Sequence, residues 1–140
     1  MRLGGHCWFL DKNGYVQRQL GRRGEPLRKL YLHREIMGLP PSGAQSADEP
    51  VVDHINGDPL DNRRSNLRVV TRAQNAQNRR ARGGTSRHRG VALIPATGRW
   101  LAQAGLHGSL HYIGTFATEA AAASAARRWR SDHMPFSVER

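Results

Sequence analysis

One stretch constrains this chain more than any other: residues 51–79, VVDHINGDPLDNRRSNLRVVTRAQNAQNR. It opens on the β-branched pair Val51 and Val52, whose stiff side chains favour extended backbone, and runs into Asp53 and His54. Asn56, Gly57, Asp58, Pro59, Asp61 and Asn62 follow, residue types that build turns, so a long polar loop is expected. A second apolar run covers residues 67–70. Thr71 and Gln74 then stand at the spacing of a capping box, in which each side chain satisfies the other's backbone N–H and starts a helix. Asn75 and Asn78, three apart, share one face of that helix. The expected order is strand, loop, strand, helix.

The acidic loop is not a calcium loop. With Asp53 as the first ligand, Gly57 comes one place early and Arg64 stands where the closing Glu belongs. Asp58 and Asp61 are therefore expected to form turns, and Asn78 to be a solvated helix position.

The arrangement resembles the HNH endonucleases, in the H-N-N subgroup found among phage and intron-encoded homing enzymes. Asp53 and His54 sit at the family's metal-binding carboxylate and general base. Asn66, twelve residues after His54, sits at its central Asn, and Asn75, twenty-one after His54, at its final position. The resemblance implies a ββα-metal (His-Me finger) unit in which Asp53 and Asn75 bind a metal, His54 is the base and Asn66 orients it. The residue types suit phosphodiester hydrolysis: a neutral imidazole can take a proton from water near neutral pH. One carboxylate, one amide oxygen, substrate phosphate and water form a hard oxygen shell, which favours one Mg2+ or Mn2+ per site over zinc.

Charge points the same way. The chain has 140 residues, a net charge of +11 and a pI near 11.4, so a polyanion is the expected partner. Its 38% hydrophobic content fits two small modules with thin cores. No segment reads as a membrane span or signal peptide. The single cysteine, Cys7, excludes an intramolecular disulfide and is expected half-buried in a strand. Without a CxxC pair, no structural zinc is expected. Lys12 and Lys29 are the only lysines, and arginine forks suit phosphate.

Before the central stretch, Asn13-Gly14 marks a hairpin, residues 27–32 an extended run, and residues 33–37 a short helix stopped by Gly38. His33 is read there as structural. Residues 42–50 are expected as an exposed loop. Arg18, Arg22, Arg23 and Arg28 stay open between phosphate contact and a solvated face, as do Arg63, Arg64 and Arg68. After the central stretch, Arg79, Arg80, Arg82 and Arg87 lie in a basic, glycine-broken segment read as following DNA.

The rest reads as three short strands, at 91–94, 100–104 and 110–113, then an Ala-rich helix capped by Thr118. RGV, GRW and YIGTF followed by that helix resemble the Apetala-two/ERF-type DNA-binding domain. The resemblance implies that Arg89, Gln103 and Tyr112 face DNA. Ala92, Ile94 and Gly105 stand where the plant domains carry arginine, so base reading is expected to differ. Trp100 is assigned to the core.

The expected class is α+β: a ββα-metal nuclease unit followed by a small three-stranded antiparallel sheet plus helix. The domains are 1–82, with the metal core at 50–80, a linker at 83–88 and a DNA-binding domain at 89–140. The function expected is a monomeric, homing-type nicking endonuclease on double-stranded DNA, leaving 5′-phosphate and 3′-hydroxyl ends. A cytoplasmic protein encoded by a phage or bacterium is expected. The competing reading is a DNA-binding or regulatory protein with an inactive nuclease unit.

Overall fold

Turn chemistry and β-branched runs divide the chain into short strands, and the computed structural model describes residues 2–3, 6–21, 24, 26–41, 49–79 and 83–138. Arg22, Arg23, Arg80, Arg82 and residues 42–48 of the expected loop lie outside these. The chain falls into two compact units, Met1–Asn75 and Ala76–Arg140.

In the first unit, β1 (Arg2–Leu3) and β2 (His6–Cys7) form a two-stranded sheet. A three-stranded sheet follows, ordered β3 (Phe9–Leu10), β4 (Val16–Leu20), β5 (Arg28–Tyr31). The Asn13-Gly14 turn is present: Gly14 takes φ +83°, and its N–H reaches the Asp11 carbonyl at 3.0 Å. Arg18 is neither solvated nor spread toward phosphate. It lies 5.1 Å over the Trp8 ring and pairs with Glu35 at 3.0 Å. Cys7 is exposed, contrary to expectation, because its two-residue strand pairs only with β1 among the described residues.

Helix α1 (Leu32–Ile36) leads to β6 (Val51–His54), which pairs antiparallel with β7 (Leu67–Val70). Helix α2 (Arg72–Gln77) comes next. Its capping box forms as expected: Thr71 N–H donates to Gln74 Oε1 at 2.9 Å, and Gln74 N–H to Thr71 Oγ1 at 3.2 Å. This unit buries Trp8, Leu30, Leu67 and Val70, but also Gln17, His33, Arg34, Asp53, His54 and Asn66. So polar an interior requires partners for its donors and acceptors.

The second unit is a three-stranded antiparallel sheet, ordered β10 (Ser109–Phe116), β9 (Arg99–Leu106), β8 (Val91–Ile94), with α3 (Glu119–His133) on one face. Ala122, Ala123 and Ala126 let the helix backbone approach Val91 and Ala102, and Trp100, Ile113 and Phe116 pack around them. Thr118 caps α3, accepting from Ala121 N–H at 3.2 Å. Gly90 has φ +76°, and a Cβ there would strike the Gln103 carbonyl oxygen. Gln77 and Asn78 also belong here. Gln77 Oε1 accepts from Phe136 N–H at 3.2 Å and Asn78 Oδ1 from Val138 N–H at 3.3 Å. Asn78, expected to be solvated, is buried, because the C-terminal segment supplies it with a donor.

Candidate active site

The β6–β7 register sets Asp53 opposite Arg68 and His54 opposite Leu67. The intervening loop is built from short-range bonds. Asn56 Oδ1 accepts from Asp58 N–H at 2.9 Å, and Asp58 Oδ1 from Leu60 N–H at 3.0 Å. Asn66 clasps the loop. Its Nδ2 donates to Asn56 Oδ1 at 2.9 Å and to the Asp61 carbonyl at 2.8 Å, while its Oδ1 accepts from Asn56 N–H at 2.9 Å. All three bonds are within the loop, so its amide is spent on the loop that follows His54.

The amide facing the His54 ring is Asn62, with Oδ1 3.3 Å from Nε2. Its orientation follows from its other end, where Nδ2 donates to the Pro59 and Leu60 carbonyls at 3.3 and 3.2 Å. An acceptor opposite Nε2 selects the tautomer with hydrogen on Nε2, leaving Nδ1 as the basic nitrogen. The residue expected to orient His54 was Asn66; the structure puts Asn62 there and makes Asn66 the loop's brace.

Asp53 and His54 are 7% and 5% exposed. A carboxylate so buried needs a counter-charge. Arg68 provides it, with Nε at 2.8 Å and Nη2 at 2.7 Å from Asp53 Oδ2. Asn75 stands half-buried in α2, one helical turn past the capping Thr71.

Two rings, His33 and Tyr15, meet His54, and a third, Tyr31, backs His33. His33 meets His54 nearly perpendicular, at 5.1 Å between centroids and 82°. Tyr15 lies at 5.8 Å and 50°, and Tyr31 stacks on His33 at 5.4 Å. Burial, then the neighbouring charges of His54 and Arg34, lower the His33 pKa to about 4, against the pull of Asp11. Burial beside Asp11 raises the Tyr31 hydroxyl above its ordinary value. Arg34 ties the entrance of β6 to α1. It donates to the Pro40 and Pro50 carbonyls at 2.7 and 3.2 Å and pairs with Glu49 at 2.8 Å.

Asn62 and Arg34 were not expected at the site, and His33, read as structural, lies against the His54 ring. Asn62 was hidden among turn formers, and the only signal for His33 was its place in the short helix before β6.

The remaining arginines differ in what they touch. Arg63 grips Asp61 with two bonds at 2.7 Å, which lowers the Asp61 pKa to about 2, yet its side chain is 76% exposed. Arg64 donates to the Ile36 carbonyl at 3.0 Å. Arg79 and Arg87 are exposed. Arg89 is half-buried and donates to the Gln77 carbonyl. The Arg89 carbonyl in turn accepts from Arg130 at 2.8 Å. Gln103 and Tyr112 are directly paired across β9 and β10, and Tyr112 is 69% exposed.

Among the described residues no three His, Cys, Asp or Glu side chains gather as a metal site, and no helix is long and apolar enough to cross a membrane. Residues 45–77, which hold all four motif positions, match the HNH endonuclease family. That match supports nuclease chemistry. Over 117 residues, 83% of this chain, the sequence is 36% identical to a protein of Acanthamoeba polyphaga mimivirus named as an uncharacterized HNH endonuclease. The matched region is 56% of that relative, so the chain spans little more than half its length. No solved structure matches the chain.

Proposed function

We propose that this chain is a metal-dependent, site-specific DNA endonuclease of homing type with His54 as general base. The observation that carries the reading is the buried Asp53-His54 pair at the end of β6, inside the segment that matches the family, with Asn62 Oδ1 opposite His54 Nε2.

In this reading His54 Nδ1 takes a proton from water as the water oxygen attacks phosphorus. The bond from phosphorus to the 3′ oxygen breaks, the 5′-phosphate stays on one end, and the leaving 3′ oxygen takes a proton from solvent. Asn62 holds the ring as charge develops on it. Asn66 keeps the loop closed.

The donor set fits a hard divalent ion. Asp53 and Asn75 would hold Mg2+ or Mn2+, and two protein oxygens leave most of the coordination shell to phosphate and water. When bound, the ion supplies electrostatic stabilisation of charge on the phosphate and the leaving oxygen. Arg68 holds the Asp53 carboxylate in place.

The second unit positions DNA. On β9, Trp100, Ala102 and Ala104 pack toward the helix side, so Arg99, Leu101, Gln103 and Gly105 alternate onto the open face. Tyr112, opposite Gln103, shares that face, which supports the expected Gln103 and Tyr112 contacts. Arg89 is assigned instead to holding Gln77. Exposed Arg63, Arg79 and Arg87 are the backbone contacts of this reading.

The test is a supercoiled plasmid carrying the target. His54→Ala should bind DNA in a gel shift and keep its circular dichroism, yet lose cleavage by at least about 100-fold, the usual scale of a general base. One observation favours a silent nuclease unit: Asp53 Oδ2 already takes two bonds from Arg68. No cleavage by the parent protein with Mg2+ or Mn2+ would establish that reading instead.

A further inference from the structure

We propose that His33 is a positioning residue for the reaction, its ring setting the plane in which the His54 imidazole works. The inference rests on His54 being the general base.

A hydrogen bond from Nε2 to Asn62 pins one corner of the His54 ring but leaves rotation about that bond. A base is useful only when its lone pair is held within a few tenths of an ångström and roughly 10–20° of the proton it takes. A ring contact adds a second constraint. It comes from α1. At 82° and 5.1 Å, His33 and His54 make an edge-to-face pair, in which the positive edge of one ring meets the negative face of the other.

His33 is itself held on two sides. Tyr31 stacks on it at 14°, and Tyr15 meets it at 5.5 Å and 67°. Tyr15 also touches His54, so the wall closes on the catalytic ring. His33 is 8% exposed, and its Nδ1 is buried without a hydrogen-bond partner. A flat ring held between two tyrosines and set edge-to-face on His54 points to a task for the aromatic ring itself. It also stays uncharged in the neutral range, so it does not repel the imidazolium formed on His54. The wall borders a cleft of ≈ 220 Å³ lined also by Val51 and Val52 of β6.

The experiment compares His33→Phe and His33→Leu with the parent protein and His54→Ala, on a plasmid that the parent nicks. Single-turnover rate, KM for DNA and thermal melting are read for each. Phenylalanine keeps the ring contact and leucine only the bulk. His33→Phe should cut within about threefold of the parent, and His33→Leu at least about tenfold more slowly, with KM and melting temperature alike in the two variants. A space-filling role alone would move melting and leave these two rates equal. If leucine melts below assay temperature, His33→Met, more adaptable in packing, takes its place. Equal rates for the ring and non-ring variants, whether both fast or both slow, would overturn the proposal. Parent-like cleavage by His54→Ala would remove the base on which it rests. A dead His54→Ala beside a fully active His33→Leu would sink the His33 inference alone.

Discussion

At the scale of single residues, the site is a set of polar groups that burial makes dependent on each other. Asn62 shows it best. It sits in an ordinary turn, yet its amide is oriented by two carbonyls and presents its oxygen to His54. Asn62→Ala should therefore lower the cleavage rate by about tenfold while leaving KM for DNA unchanged, since what is lost is the orientation of the base. Steady-state kinetics on the plasmid checks this, and a change confined to KM would contradict it. His33 makes a second prediction. Its pKa falls from 6.5 when unfolded to about 4 when folded, so between those values the unfolded chain binds more protons. Stability should be fully present above pH 6.5 and decline as pH drops toward 4, by up to roughly 3 kcal/mol for this group. Urea melts across that window should show a shallower pH dependence in His33→Phe than in the parent.

At the scale of elements, the short helix α2 is the weak member. Six residues cannot sustain a helix alone, so the capping box and packing hold it in place. Thr71→Ala should cost ~1 kcal/mol of stability. It should also slow cleavage, because Asn75 rides on that helix. Thr118→Ala removes the equivalent cap from α3, fifteen residues long and packed on the second unit's own sheet. It should cost a similar ~1 kcal/mol but leave the rate at saturating DNA unchanged. Urea titration with single-turnover kinetics on both variants distinguishes the two; equal slowing would show that α2 has no special bearing on catalysis.

At the scale of the whole molecule, one Asp53-His54 pair can align one phosphate with one water at a time. The chain should accordingly convert supercoiled plasmid to open circles before any linear product appears. A self-complementary surface would be needed for a symmetric dimer to cut both strands. The alanine stripe of α3 does not offer one, since Ala122, Ala123 and Ala126 are already buried against the sheet. Gel electrophoresis over time, with light scattering at the same protein concentration, checks both statements. Prompt linear product from a dimeric species would refute them.

The strand-loop-strand order around Asp53 and His54, the capping box at Thr71, the Asn13-Gly14 turn and the helix cap at Thr118 were determined by sequence alone. Each depends on residues a few positions apart, where φ/ψ preference, side-chain reach and hydrophobic period act without help from the rest of the chain. The core assignment of Trp100 was legible as well, and it packs, partly buried, against the cluster around Ala102. Which partner each polar side chain takes was decided only by tertiary structure. Asn66 and Asn62 are chemically identical amides four residues apart, and the loop's closed geometry alone turns one inward to brace it and the other toward His54. Arg68, like the other basic residues in sequence, is claimed by Asp53 through strand register, and Arg89 by Gln77. His33 lies twenty-one residues before His54, with Tyr15 and Tyr31 farther back still. Their meeting depends on how β4, β5 and α1 pack beside the hairpin, and burial then makes each contact matter, because a polar group removed from water must be satisfied by whatever the fold brings beside it.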